Sequence, residues 1–174
     1  MFFERFYPTA YYESAYDIDY EKLYEEGYRG IIYDIDNTLV PHGYPADERA
    51  LELMDRLKSI GFKITFLSNN DAARVEMFNE NIGAGYICKA SKPYAKGYLK
   101  AAEDMGCKPE NVFFVGDQLF TDIWGANNAG MRSFLVQPID RSTDEIQIVI
   151  KRMLERIILR KYLKNHNIIS KEQV

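Results

Sequence analysis

Asp34 and Asp36 stand at the end of the apolar run Gly30-Ile31-Ile32-Tyr33. On an extended backbone, residues i and i+2 project to the same side. Two such carboxylates cannot lie bare together without a raised pKa unless a cation neutralises them. A third carboxylate, Asp117, follows the apolar run Val112-Phe113-Phe114-Val115, and Asp122 comes soon after it. Oxygen ligands gathered at one spot suit Mg²⁺. Ser68 ends another apolar run and offers a hydroxyl, backed by the N–H groups that open the next helix, a seat for an anion. Lys92 adds a fixed positive charge, and Asn69 beside Ser68 is a further candidate for the substrate. Carboxylates, a hard cation, a hydroxyl, backbone N–H groups and a lysine together describe a site for a phosphoryl group and its transition-state charge.

Each of these residues also has a plainer reading. Ser68, Thr121, Asn69, Asn70 and Asp71 are all residue types that cap helices. Lys89 and Lys96 flank Lys92, and any of the three suits a solvated surface; the Lys92-Pro93 pairing after a strand singles out Lys92. Asp34 and Asp36 resist such a reading, because two acids between apolar neighbours at a strand end are costly unless used.

The elements that must position these groups alternate. Strands are expected at 30–34, 63–67, 86–88, 111–115 and 132–136. Helices are expected over 46–59, closed by Gly61, and over 72–81, 94–105 and 121–128. This rhythm predicts an α/β fold, a Rossmann-like parallel sheet with helices on both faces. In such sheets ligands sit beyond the carboxyl ends of the strands. Every candidate above follows a strand at that end.

Composition narrows the setting. With 22 Lys+Arg against 26 Asp+Glu the net charge is −4, so no global field draws the chain to nucleic acid. Residues 1–26 are acidic, while residues 148–164 carry Lys151, Arg152, Arg156, Arg160, Lys161 and Lys164 against Glu155. Cys88 and Cys107, with His42 and His166 far apart, do not make a zinc site and read as reduced structural thiols. No apolar run approaches the roughly 20 residues that span a bilayer, and the start lacks a signal-peptide hydrophobic region. The expected location is the cytoplasm. The chain reads as one domain: an N-terminal flank at 1–29, a core at 30–140, and an amphipathic basic helix with a tail at 141–174.

D-x-D-x-T-L after a strand, then a strand-end Ser, a Lys-Pro and a G-D-x-x-x-x-D, in that order, resemble the haloacid dehalogenase superfamily. The motifs span residues 34–122. The resemblance implies that Asp34 attacks phosphorus to form an aspartyl-phosphate and that Asp36 protonates the leaving oxygen and later activates water. An acid at Asp36 favours a phosphatase over a dehalogenase, since carbon–halide cleavage needs no acid for its leaving group. By the same resemblance Asp34, the backbone carbonyl of Asp36, and Asp117 would hold Mg²⁺, with Asp122 bound directly or standing behind them. Ser68 and Lys92 would grip the phosphoryl oxygens, Lys92 belonging also to the catalytic set, and Thr38 would brace the loop. The stretches from Asp36 to Ser68 and from Ser68 to Lys92 leave no space for an inserted cap domain.

The aromatic N-terminal segment, the 28–40 stretch and the final basic helix resemble the bacterial YqeG branch, related to mitochondrial phosphatidylglycerophosphate phosphatases. A phospholipid head group is then the expected phosphorylated partner. In the final helix Ile146, Val149, Ile150, Met153, Leu154, Ile157 and Ile158 form an apolar stripe. The simplest expectation packs that stripe on the domain with a solvated basic face; the other leans the helix on the inner face of a membrane as a peripheral contact. Tyr7, Tyr11, Tyr12 and Tyr16 are expected to pack. The rival to an enzyme is a binding or assembly factor, for example ribosome-associated, that keeps the fold with little turnover.

Overall fold

The computed structural model describes residues 2–142 and 146–166; of the helix and tail expected over 141–174, residues 143–145 and 167–174 lie outside the described residues. In chain order the elements are β1 (Ala10–Tyr12), α1 (Tyr20–Glu25), β2 (Gly30–Tyr33), α2 (Glu48–Ile60), β3 (Lys63–Leu67), α3 (Ala72–Asn79), β4 (Gly85–Ile87), α4 (Ala95–Asp104), β5 (Val112–Gly116), α5 (Trp124–Asn128), β6 (Arg132–Val136) and α6 (Ile146–Asn165). The six strands form one parallel sheet in the order β1-β6-β5-β2-β3-β4. Continuous apolar strands are what a sheet covered on both faces requires, and every residue of β2 and β5 is buried.

Alternation along β2 assigns the two faces. Ile31 and Tyr33 pack with residues of α1, α2 and α3, while Ile32 packs with residues of α4 and α5. Gly61, at φ +113°, closes α2 in the left-handed region, as its position after the periodic pattern predicts. The expected helix ends shift by one to three residues, most at the start of α5. Asp47 caps α2 by accepting from the Ala50 N–H, and Asp71 caps α3 by accepting from the Arg74 N–H.

Two elements are absent from the sequence reading. β1, three half-buried residues, pairs with β6 at the sheet edge; its pairing carries no apolar run to announce it. α1 presents Tyr20 to the core, where the Tyr33 hydroxyl donates to the Tyr20 hydroxyl at 2.6 Å, which donates to the Ala15 carbonyl at 2.6 Å. The other N-terminal tyrosines pack as expected. Tyr16 donates to the Leu39 carbonyl, Tyr12 meets Phe134, and Tyr7 meets Tyr162.

The final helix departs from the simplest expectation. Its buried residues are Glu155, Ile158 and Tyr162, with Ile158 and Leu159 packed against the segment after β5. The other six members of the expected stripe, Ile146 to Ile157, are between 44% and 76% exposed. Only Ile158 lies on the packed face. Amphipathicity misassigns the face here because polar contacts, described next, seat the opposite side of the helix.

Candidate active site

Strand order reverses between β2 and β5, since the chain runs outward from β2 through β3 to β4 and returns to start β5 on its other side. A crevice opens at such a switch point. Asp34 follows β2 directly, its N–H donating to the Val115 carbonyl of β5 at 3.0 Å, and Asp117 follows β5. The pairing of Tyr33 with Val115 therefore sets the two acids side by side. Oxygen atoms of Asp34, Asp117 and Asp122, all buried, lie within 4.8 Å of one another.

Two cations thread this cluster. Lys92 Nζ donates to Asp34 Oδ1 at 2.6 Å and to Asp122 Oδ1 at 2.7 Å. Arg152 of α6 donates to Asp117 Oδ2 at 2.7 Å. The Thr38 hydroxyl lies 3.4 Å from Asp34 Oδ2 and 3.5 Å from Asp117 Oδ1, which places it as the expected brace between the two. Burial is the largest influence on both acids. It pushes Asp34 up to about 8 against the pull of Lys92, and Asp117 up to about 7 with the charge of Asp122 adding to it and Arg152 opposing. Burial likewise raises Lys92's cost of charging, but Asp122 and Asp34 more than offset this and hold it well above the usual lysine range.

These shifts predict a pH dependence of stability. Folded Asp34 and Asp117 hold protons that the unfolded chain releases near its ordinary value of 3.8. Without a divalent cation, stability should therefore fall as pH rises from about 4 to about 8, by at most ~1.4 kcal/mol per pH unit for each shifted carboxyl. Urea denaturation in chelator across that range checks it; stability flat or rising over the same window would show that the acids ionise at ordinary values.

Asp122 is held by a local device. Its Oδ2 accepts from the N–H groups of Asp117 and Gln118, both at 3.1 Å. For that reach, residues Leu119–Ile123 wind as a single wide π-type turn before α5, where the sequence predicts an ordinary helix from Thr121. The carboxylate presses on Gly116 so closely that a Cβ there would sit 2.5 Å from Asp122 Oδ2. Glycine in the G-D pair is thus a steric requirement. Tyr98 of α4 donates to the Thr121 carbonyl at 2.8 Å and pins the turn from the far side.

Asp36 does not join the cluster. The strand ends at Tyr33, ahead of both acids, so the same-side projection that an extended backbone would give Asp34 and Asp36 is not required here. The Asp36 carboxylate instead accepts from Arg74 at 2.8 Å, from Asn70 Nδ2 at 2.7 Å and from the Gly43 N–H at 2.7 Å. Asp122 supplies the third side-chain carboxylate of the cluster in its stead.

The expected anion seat after β3 is also partly filled from within. Ser68 Oγ accepts from the Asn70 N–H at 3.1 Å, and the Arg74 N–H is taken by Asp71. Asn69 clasps the Lys92 backbone, accepting from its N–H at 2.8 Å, so its side chain positions the lysine.

Three residues here escape sequence reasoning: Arg152, Arg74 and Asn70. Arg152 and its neighbour Lys151, which donates to Gln118 Oε1 at 2.9 Å, belong to the face expected to be solvated. Glu155 accepts from the Phe120 N–H at 2.9 Å, and burial pushes its carboxyl up to about 7. An acid within the basic helix was the available signal, since a lone carboxylate among six cations has some reason to be there.

The family model of haloacid dehalogenase-like hydrolases matches residues 40–130. Over 155 residues the chain is 39% identical to the Bacillus subtilis (strain 168) protein named "Probable phosphatase YqeG", covering 88% of this chain and 90% of that one. The chain belongs to the haloacid dehalogenase-like hydrolases. Its similarity to a named phosphatase along nearly the whole of both chains makes this hydrolase a phosphatase. It is also 26% identical over 169 residues to "Phosphatidylglycerophosphate phosphatase 1, chloroplastic/mitochondrial" of Arabidopsis thaliana, covering 88% of this chain and 49% of that protein, about half its length. A haloacid dehalogenase-like family hydrolase from Streptococcus pneumoniae shares the fold of this hydrolase, with TM-score 0.51, 14% identity and coverage of 63% of this chain and 85% of that chain. Among the described residues no inserted domain interrupts β2 to β4, as the motif spacing predicts for a capless member. No helix among the described residues is long and apolar enough to cross a membrane.

Proposed function

We propose that the chain is a Mg²⁺-dependent phosphomonoester hydrolase working through an aspartyl-phosphate on Asp34. The observation that carries this reading is the buried Asp34–Asp117–Asp122 oxygen cluster with Lys92 seated in it. A set of closely spaced carboxylate oxygens, with no sulfur or imidazole, fits a hard divalent cation. Asp34, the backbone carbonyl of Asp36, and Asp117 would hold it, with Asp122 behind. When bound, the ion supplies charge neutralisation between carboxylates and phosphoryl oxygens.

Asp34 Oδ1 is engaged by Lys92, which leaves Oδ2 to attack phosphorus as the bond to the leaving oxygen breaks. Lys92 offsets negative charge gathering on the phosphoryl oxygens, helped by Ser68, while Asn69 holds the lysine in place. Asp36 gives the leaving oxygen its proton. It then takes a proton from the water that attacks the aspartyl-phosphate, releasing inorganic phosphate and restoring Asp34. Arg74, donating to Asp36 Oδ1 at 2.8 Å, fixes where that carboxyl group stands.

Phosphate release should require added Mg²⁺ and stop on chelation, measured across lipid, sugar, nucleotide and aryl phosphates; equal rates in chelator would remove the ion from the scheme. Asp36→Asn should lower the rate by ~10²–10³-fold on an alkyl phosphate. With a nitrophenyl phosphate, whose leaving group needs no proton, the loss should be much smaller under single-turnover conditions. Equal losses on both would deny Asp36 the acid role.

For the substrate we favour a lipid-borne phosphomonoester such as phosphatidylglycerophosphate. The relation to the Arabidopsis thaliana phosphatase supports it, as does a site without a cap, which can meet a phosphate presented on something large. Rapid cleavage of soluble phosphates with no action on that lipid in mixed micelles would overturn this choice.

A further inference from the structure

We infer that the face of the molecule at the strand carboxyl ends docks on an anionic phospholipid bilayer, with the outer stripe of α6 as the element that enters it. This deepens the choice of a lipid-borne substrate, but it stands on surface features that need no turnover.

The stripe from Ile146 to Ile157 follows helical spacing over three turns and points away from the packed face of Glu155, Ile158 and Tyr162. A soluble surface seldom carries so continuous an apolar strip without something to cover it. The strip has company. Tyr44, Tyr94 and Ile139 are 59%, 73% and 46% exposed, and each lies in a loop following a strand. Each is also tied beside the site. Gly43, next to Tyr44, donates to Asp36; the Tyr94 N–H donates to the Ser91 carbonyl, adjoining Lys92; the Ile139 N–H donates to the Asn37 carbonyl at 3.1 Å. Large exposed apolar side chains therefore stand on three loops beside the phosphate site, and α6, tied to the same site by Arg152, carries the longer strip.

Charge decides for lipid over another protein as the occupant. The sole acid of α6, Glu155, is buried against the Phe120 N–H, and Lys151 and Arg152 turn inward to Gln118 and Asp117. The charged residues left on the outer surface are Arg156, Arg160, Lys161 and Lys164, all exposed and all basic. In a chain of net charge −4, the outer side of α6 joins exposed apolar residues to basic ones, a combination suited to the headgroup region of an anionic leaflet. Because Arg152 and Glu155 bolt the inner face of the same helix to the site, a docked helix would hold the acid cluster close to the headgroups.

Flotation of the full chain with phosphatidylcholine vesicles, with and without phosphatidylglycerol, tests this. The chain should float with the anionic vesicles, float poorly with the neutral ones, and come off at high salt. The triple variant Ile150→Ser, Met153→Ser, Ile157→Ser should lose at least ~10-fold in partitioning with its thermal midpoint kept. Replacing Arg160, Lys161 and Lys164 by Gln should cost roughly five-fold per charge at low salt. Asp34→Asn should float like the parent, so docking and catalysis fail separately. No flotation with anionic vesicles overturns the inference, as does flotation unchanged in the triple variant. A parent dimer that the triple variant converts to monomer, without vesicle binding, would assign the stripe to a second copy and overturn it equally.

Discussion

Asp34→Asn should abolish phosphate release, by at least ~10³-fold, in a protein that stays folded. The carboxylate lies beyond the end of β2, at the switch point beside β5, with Oδ1 held by Lys92 at 2.6 Å and Oδ2 facing Thr38 at 3.4 Å. An amide in that place keeps the shape but lacks the negative oxygen that forms the bond to phosphorus. Stability should not suffer. The cluster holds three acids against Lys92 and Arg152, so removing one acid relieves like-charge crowding in the metal-free protein. A thermal midpoint equal to the parent's, or higher by an amount worth about 1–2 kcal/mol, is expected, as for other sites where function is held at the expense of stability. Parent-level turnover in this variant would move the nucleophile elsewhere; a lowered midpoint would show that Asp34 is chiefly a structural partner of Lys92.

Lys92→Met should have the opposite balance, losing both activity and stability. The lysine is buried, with donations of 2.6 and 2.7 Å to Asp34 and Asp122. Removing one partner from a buried ionic cluster typically costs ~3–5 kcal/mol because the charge left behind has no compensation. The pocket answers by taking up a proton, so the loss should be larger at about pH 8 than at about pH 5.5: folded protein then holds protons the unfolded chain has released, and its stability falls as pH rises. Urea denaturation of parent and variant at both pH values measures this, and a pH-independent loss would point to packing instead. Lys92→Arg should not restore the rate, since the wider guanidinium must fit between two carboxylates and the Phe114 ring, 5.7 Å from Nζ.

How much of this was readable along the chain depended on whether a signal was local. The alternation of apolar runs and periodic helices, and polar residues following each run, were legible because strand burial and helix periodicity act within a few residues. Asp34, Ser68, Lys92, Asp117 and Asp122 could be picked out because polar groups in such places need a reason. The fate of Asp36 was not legible. Its carboxylate is held by Arg74, which comes from a helix on another βα unit. Likewise, the single wide turn that brings Asp122 back onto Gly116 has no periodicity to betray it.

The last helix marks the division most sharply. Its amphipathicity is a property of its own residues, and so is the concentration of basic charge that its sequence carries. Which face packs is not. Hydrophobicity argues for burying Ile146 to Ile157, but the inward side is chosen by Glu155 reaching the Phe120 N–H and Arg152 reaching Asp117, contacts between residues 35 apart in the chain. A buried carboxylate or guanidinium gains little without its partner and much with it. The partners here exist only once β5 and its following turn are in place. Sequence alone therefore determined the fold and the set of acids; tertiary structure decided which acids share a cluster, which cations neutralise them, and which side of the final helix faces outward.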